Sequence, residues 1–320
     1  MDKAISLKDS GTRKKGASCT HNSVSIPTTR VLTDLLVSVL LDIMLANVKI
    51  HSGMANLIRS GKPGSEWTAN DLLSYNITIE TVNNEEEFFE FEGDRPLPPA
   101  DMNGFLTYLD TTTADNAGDY DTANLLHTLQ MAQTSAESWV DEFASRILRK
   151  MGYEGRKRLV KVKQMLHFLS GGALQNAQAD VCVMSRDEVI LLVQEDKRSS
   201  DGLVLGSRPQ LVAEAIAAFA WNQNQVTLRR QAPLTTLALP GILMIGALPV
   251  FYKIIITDEL YSAVKATSYP TKQTMIYRFI PEYNGLINHA MSDLDVRRRV
   301  VQYYELFRKY LDTAEGIHPS

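Results

Sequence analysis

The pattern of apolar and polar residues predicts a mixed α/β chain. Between 122 and 152 the apolar residues recur every three to four positions, which is typical of helices. The clearest stripe consists of Val140, Phe143, Ala144, Ile147, Leu148 and Met151. Gly152 follows this stripe and is a suitable residue to end the helix.

Strand-like runs follow this helix. The stretches "RLVKVKQMLHFLS", "ADVCVM" and "VILLVQEDK" are rich in strand formers, and Gly171-Gly172 and "SRDE" separate them as turns. They predict a three-stranded antiparallel meander. A helix should open at Pro209, and residues 239–257 read as two more strands broken at Pro249. The order from 136 to 256 is therefore α-β-β-β-α-β with a further strand.

The N-terminal part is less regular. Residues 1–27 are Ser/Thr/Lys-rich and predict a disordered tail, and a helix should follow over about 28–50. A short helix then leads into a strand at Ile77–Ile79. The segment "NNEEEFFEFEGDRPLPP" predicts a surface segment anchored by its phenylalanines, and residues 110–121 predict a loop. We therefore expect a helical and acidic extension over 28–121 and a main domain over 122–314.

Composition narrows the class of protein. The 320 residues carry a net charge of −4, so a nucleic-acid partner would need a local basic patch. The chain has two cysteines, Cys19 and Cys182, which are too few for a disulfide framework. This fits an intracellular protein, nuclear or cytoplasmic. The apolar run from 31 to 48 is interrupted by polar residues and is too short to span a membrane.

The stretch "QADVCVMSRDEVILLVQEDKR" carries the candidate chemistry. Side chains alternate along a strand, so Glu195 and Lys197 should point to the same side, with Asp180 on the adjacent strand. Two carboxylates with open water positions suit Mg²⁺, and a nearby ammonium can position a water. The alternative interpretation is a surface ion pair between Glu195 and Lys197, with Asp180 pairing to the same lysine.

The order of elements and these residues resemble the PD-(D/E)XK phosphodiesterase superfamily from about 136 to 256. Ala179-Asp180 matches the variable "PD" and Glu195-Asp196-Lys197 matches "(D/E)XK". The resemblance implies a restriction-endonuclease-like α/β core, α-β-β-β-α-β, with a mixed central sheet flanked by helices. It also implies an acid on the first helix, Glu137 or Asp141, and a polar residue on the helix after the third strand, Gln210.

The resemblance implies that Asp180, Glu195 and Asp141 hold Mg²⁺ or Mn²⁺, with Lys197 positioning the attacking water and Gln210 nearby. "WTANDLLSYNI", "VDEFASRIL" and "VFYKIIITDELYSAV" also look like a large family of uncharacterised proteins from mushroom-forming fungi. That second resemblance covers about 60–310 and implies no activity.

A basic run precedes the candidate site. Between 146 and 163 eight basic residues face one acid, and the residues expected to contact nucleic acid are Arg156, Lys157, Arg158, Lys161 and Lys163. The alternative is a solvated helix end. The scattered histidines, and the absence of a GxSxG or phosphate-binding glycine motif, argue against zinc, serine-hydrolase and nucleotide chemistry.

Two other functions stay open. A catalytically inactive protein of the same fold could bind nucleic acid without metal. An interaction protein could use the aromatic face of the C-terminal helix, which includes Val296, Tyr303 and Phe307, to form a homodimer.

Overall fold

The structure, a computed structural model, describes residues 59–134, 137–155, 157–195 and 209–314, without the side chains of Glu137, Glu195 and Ala314. The predicted tail, the helix over 28–50 and the loop over 198–208 lie outside the described residues. The described residues belong to one compact unit.

The unit contains both helices and strands. The helices are α1 (Ala69–Ser74), α2 (Glu85–Phe89), α3 (Thr111–Asn116), α4 (Tyr120–Thr134), α5 (Glu137–Lys150), α6 (Pro209–Leu228), α7 (Asp258–Ala266) and α8 (Leu294–Ala314). The strands are β1 (Ile77–Thr81), β2 (Arg158–Ser170), β3 (Ala173–Ser185), β4 (Glu188–Glu195), β5 (Thr236–Ile245), β6 (Leu248–Thr257) and β7 (Thr274–Phe279).

The strands form one seven-stranded mixed sheet in the order β1-β7-β6-β5-β4-β3-β2. β2, β3 and β4 pair antiparallel, which confirms the predicted meander. Gly171 and Gly172 both have positive φ, as a tight two-residue turn between twisted strands requires. The protein is thus α/β, with a mixed sheet flanked by helices, as predicted.

The helix α6 connects two parallel neighbours. β4 and β5 pair in parallel, so the chain must cross over the sheet between them, and α6 makes this crossover. The prediction that the next two strands break at Pro249 is wrong. β5 and β6 meet at Gly246, whose φ of +56° suits a tight turn, and Pro249 lies inside β6 opposite Met244.

Two cores lie against the sheet. One contains the apolar residues of α4, α5 and α8, including the predicted stripe of α5 and the aromatic face of α8. The other contains the apolar residues of α1, α6 and α7. The face of α8 proposed for a partner is therefore buried, with Val300 and Phe307 fully covered, and it serves packing inside this chain.

The N-terminal part of the unit joins the same sheet. β1 pairs in parallel with β7, which confirms the strand predicted at Ile77–Ile79. Phe88 and Phe89 are buried, so the acidic segment is anchored by aromatics as expected. The predicted domain boundary at residue 121 stays a prediction. Among the described residues, β1 belongs to the same sheet as the strands of the C-terminal part.

The prediction of a loop over residues 110–121 is wrong. Residues Thr111–Asn116 form α3, and α4 begins at Tyr120. The Asp/Thr content that suggested a loop is a capping box instead: the Asp110 carboxylate accepts from the Thr113 amide at 2.9 Å, and the Thr113 hydroxyl accepts from the Asp110 amide at 3.2 Å.

Candidate functional site

The candidate site lies where β3 changes the face that its side chains present. Ala177 and Ala179 pack in the core with α6, whereas Val181 packs in the core with α5. A regular strand would point all three residues to one face, because side chains alternate with a period of two. The alternation is therefore broken at Asp180, which is 8% exposed.

The neighbouring strand β2 is irregular at the same level. Lys163 has a φ of +55°, a backbone conformation that lysine seldom adopts. It lies across from Asp180, between the pairs Val162–Val181 and Gln164–Ala179. A non-glycine residue held in this region costs about 1–2 kcal/mol, so local contacts must offset it.

Lys163 makes these contacts with two carboxylates from different elements. Its Nζ donates to Asp180 Oδ1 at 2.9 Å and lies 2.7 Å from Oδ2 of Asp141 on α5. Both acids are almost buried, while the lysine side chain is 47% exposed. An acid on α5 and an acid on β3 therefore meet around one cation.

The electrostatics of this group follow from its geometry. Partial burial lowers the pKa of Lys163, but its hydrogen bonds to Asp141 and Asp180 outweigh burial and raise that pKa above the ordinary value. The lysine is therefore charged at neutral pH, and a single positive charge faces two acids. Asp141 and Asp180 also interact with other groups of the protein besides this lysine.

A third acid, Glu214 on α6, lies behind this group and is 0% exposed. Gln210 Nε2 donates to its Oε1 at 3.2 Å, and its Oε2 has no hydrogen-bond partner in the described part of the chain. Burial, and next the nearby Asp180 charge, raise the pKa of Glu214 well above its usual range. A protonated carboxyl group at this position fits these surroundings.

Of the stretch Glu195-Asp196-Lys197, only the backbone of Glu195 is described. Glu195 ends β4, and its Cα pairs with that of Met244. Its side chain and all of Lys197 lie outside the described residues. Gln194, the residue before, is 4% exposed, and its Oε1 lacks a hydrogen-bond partner among the described residues.

Most of the predicted basic patch is compensated by acids. Arg146 pairs with Glu142, Arg149 with Glu154 at 3.2 Å, and Lys150 with Asp121. Arg158, expected to contact nucleic acid, pairs with Asp312 at 2.6 Å, and 10% of its side chain is exposed.

Two of the expected nucleic-acid contacts, Lys157 and Lys161, are exposed. Lys163 lies in the acid group, and Arg156 is outside the described residues. The available positive surface on β2 is therefore smaller than the sequence suggests.

The donor set suits a hard cation. Asp141 and Asp180 already share one cation, and carboxylate oxygens are the ligands that Mg²⁺ and Mn²⁺ prefer. Within the described ranges, no group of three His, Cys, Asp or Glu residues is arranged to hold a metal ion. A complete site would therefore need a ligand such as Glu195, whose side chain is not described.

Sequence reasoning gave Lys163 a different role and missed Glu214. A signal existed for each residue. Counting back from the Gly171-Gly172 turn places Lys163 opposite Asp180. Glu214 is the one acid in the otherwise apolar "PQLVAEAIAAFAWNQ", and it lies four residues after Gln210, hence on the same helical face.

The sequence was compared with protein-family models and with curated proteins. No family model matches the chain, and no curated protein matches it. Within the described residues, none of the helices combines the length and the apolar character needed to cross a bilayer.

Proposed function

We propose that the protein is a metal-dependent phosphodiesterase that hydrolyses nucleic acid on a PD-(D/E)XK-like core. The observation that carries the proposal is the meeting of Asp141 and Asp180 at one cation, Lys163 Nζ, at 2.7 and 2.9 Å. Both acids were expected as metal ligands, and they reach this point from a helix and a strand. Two carboxylates with so little exposure are costly unless a cation compensates them, so this point of the structure is suited to bind a cation.

The arrangement of elements supports the same proposal. The order α5-β2-β3-β4-α6-β5, with an antiparallel meander and a parallel β4–β5 pair, agrees with the expected α-β-β-β-α-β core. Glu195 ends the strand next to the one that carries Asp180. This places the backbone of the two proposed ligands on adjacent strands.

In this proposal Asp180 and Glu195, with Asp141, hold Mg²⁺ or Mn²⁺. The bound ion would polarise the scissile phosphate and lower the pKa of a coordinated water. Lys197 orients the attacking water. Gln210 donates a hydrogen bond through its side-chain amide to Glu214, which fixes the side chains of α6 behind the site. The water oxygen forms a bond to phosphorus, the bond to the leaving sugar oxygen breaks, and the water proton passes to that oxygen or to solvent.

A second candidate is a catalytically inactive protein of the same fold that binds nucleic acid. The observation that favours it is that the Lys163 ammonium already lies between the two acids, where the metal would bind. In such a protein the lysine would replace the metal permanently. The exposed Lys157 and Lys161 would still attract phosphates, independently of metal.

A nicking assay tests the first candidate. The full chain should convert supercoiled plasmid, or cut labelled DNA and RNA oligonucleotides, with Mg²⁺ or Mn²⁺ and not with EDTA. Asp180→Asn, Glu195→Gln and Lys197→Met should each lower the rate by at least about 100-fold, since each removes a group on which the reaction depends. Asp187→Asn, an exposed acid in the β3–β4 turn, is the matched control and should retain the parent rate.

Equal cutting by parent and all three variants would point to a contaminating nuclease and remove the assignment. Failure of the parent to cut, combined with metal-independent binding of DNA or RNA, would favour the inactive protein.

A further inference from the structure

Lys163 combines three properties that a purely structural lysine does not need. It has a strained backbone at φ +55°, its ammonium lies between two nearly buried carboxylates, and about half of its side chain is exposed. It also lies on β2, an edge strand of the sheet that the described residues form.

We infer that Lys163 is a resident counter-cation that yields its place between Asp141 and Asp180 to a divalent metal and then contacts a phosphate of the nucleic acid. This inference rests on the proposed function and adds a coupling between metal binding and nucleic-acid binding. Metal loading would release the phosphate-binding group, so metal and nucleic acid would bind with positive cooperativity.

The exchange is favourable on electrostatic grounds. A divalent ion carries twice the charge of the ammonium that it replaces, so at the same distance the two carboxylates attract it more strongly. The acids stay in position because α5 and β3 hold them, while the lysine leaves through the solvent-exposed side of the site. The exchange keeps the two nearly buried acids paired with a cation throughout, as their low exposure requires.

The released ammonium has a defined role. A lysine at the edge of a phosphodiesterase site is a compact positive charge on a long flexible stem, which suits contact with a phosphate next to the scissile one. Without metal this charge is held by the two acids and contributes little to nucleic-acid binding. Lys161, two residues earlier on the same strand, is exposed and has no such partner among the described residues.

The test combines metal binding and nucleic-acid binding. Calorimetry with Mn²⁺ and with Ca²⁺, in the absence of nucleic acid, compares the parent with Lys163→Met, Lys163→Gln and the control Lys161→Met. Both Lys163 variants should bind the metal about three- to tenfold more tightly, because the competing cation is gone. Lys161→Met should keep the parent affinity.

Binding of a labelled DNA oligonucleotide is then measured with Ca²⁺ and with EDTA. Lys163→Met should weaken binding about tenfold with Ca²⁺ and lower the salt slope by about one, yet leave binding with EDTA unchanged. Lys161→Met should weaken binding equally in both conditions. Two Lys163 substitutions of different polarity, each checked by circular dichroism, guard against a folding defect in one of them.

The outcomes separate this inference from the nuclease proposal. Unchanged or weaker metal binding in both Lys163 variants, or an equal loss of DNA affinity with and without metal, overturns the inference and leaves hydrolysis intact. Coupling without any cutting by the parent supports the inference and removes the hydrolysis. Absence of metal binding in the parent and in both variants overturns both.

Discussion

Two inward-facing cations in this protein, Arg297 and Lys163, are held in opposite ways. Arg297 is 1% exposed and donates to four main-chain carbonyls of the described residues: Met291 at 3.1 Å, Phe105 at 3.0 Å, Tyr108 at 2.9 Å and Leu109 at 3.2 Å. Burial, and next the neighbouring Arg298 charge, lower its pKa to about 10. Lys163 is half exposed, binds two carboxylates, and has a raised pKa.

The difference separates a structural cation from an exchangeable one. The planar guanidinium fits several carbonyl groups at once, and a metal ion or a lysine would not reproduce that geometry. The carboxylates around Lys163 accept any cation of suitable size, since their charge rather than their shape provides most of the attraction. Arg297 is therefore a cation of the fold rather than of a binding surface.

The largest expected effect concerns Arg297. Arg297→Met should lower the free energy of unfolding by about 3 kcal/mol or more, because several buried carbonyls lose their donor at once. Urea denaturation followed by circular dichroism measures it. The neighbour Arg298, whose side chain is 51% exposed and pairs with Asp295, provides the control, and Arg298→Met should change stability by about 0–1 kcal/mol. Equal small losses in the two variants would contradict the structural role.

A second, pH-dependent effect concerns Glu214, the buried acid behind Lys163. Its pKa is raised in the folded protein, so the folded state keeps the carboxyl proton at pH values where the unfolded chain has lost it. The free energy of unfolding therefore falls as the pH rises above about 4.5, the ordinary pKa of glutamate. Glu214→Gln should remove this loss and make the variant more stable than the parent at pH 8, with a smaller difference at pH 4.5. Urea midpoints across pH 4.5 to 8 measure this.

The exposed acid Glu86 is the control for this profile, and Glu86→Gln should leave its shape unchanged. A parent profile that rises from pH 4.5 to 8 as steeply as that of the Glu214 variant would show that the carboxyl group is ionised in the folded state.

The smallest expected effect isolates the backbone of Lys163. Lys163→Gly should be more stable than Lys163→Ala by about 1 kcal/mol, because glycine adopts a φ of +55° without strain. At Lys161, which lies in regular strand, the order should reverse, with alanine the more stable. Thermal melts of the four variants decide this. Alanine being more stable at both positions would mean that position 163 carries no strain.

Much of the fold could be predicted because its signals are local. The stripe of α5, the glycine pair between β2 and β3, and Pro209 at the start of α6 each determine one element through periodicity or backbone chemistry. The errors arose where two local signals competed. Gly246, rather than Pro249, makes the β5–β6 turn, and Asp110 caps a helix instead of opening a loop.

The site could be predicted only in part because it depends on a departure from regular pairing. Asp141 and Asp180 were expected on the basis of the resemblance, and the structure brings them together. The role of Lys163 depends on a positive φ inside a strand, and nothing in "VKVKQ" specifies that conformation. The burial of Glu214 depends on how α6 lies on the sheet, which is a property of the tertiary packing.

The change of face at Asp180 limits how this hairpin can vary. Substitutions in the Gly171-Gly172 turn leave the pairing of β2 with β3 in register. A residue inserted or deleted between Asp180 and the end of β3 at Ser185 would instead exchange the apolar side chains of that half-strand between the two cores. The length of that half-strand and the position of the acid therefore constrain each other.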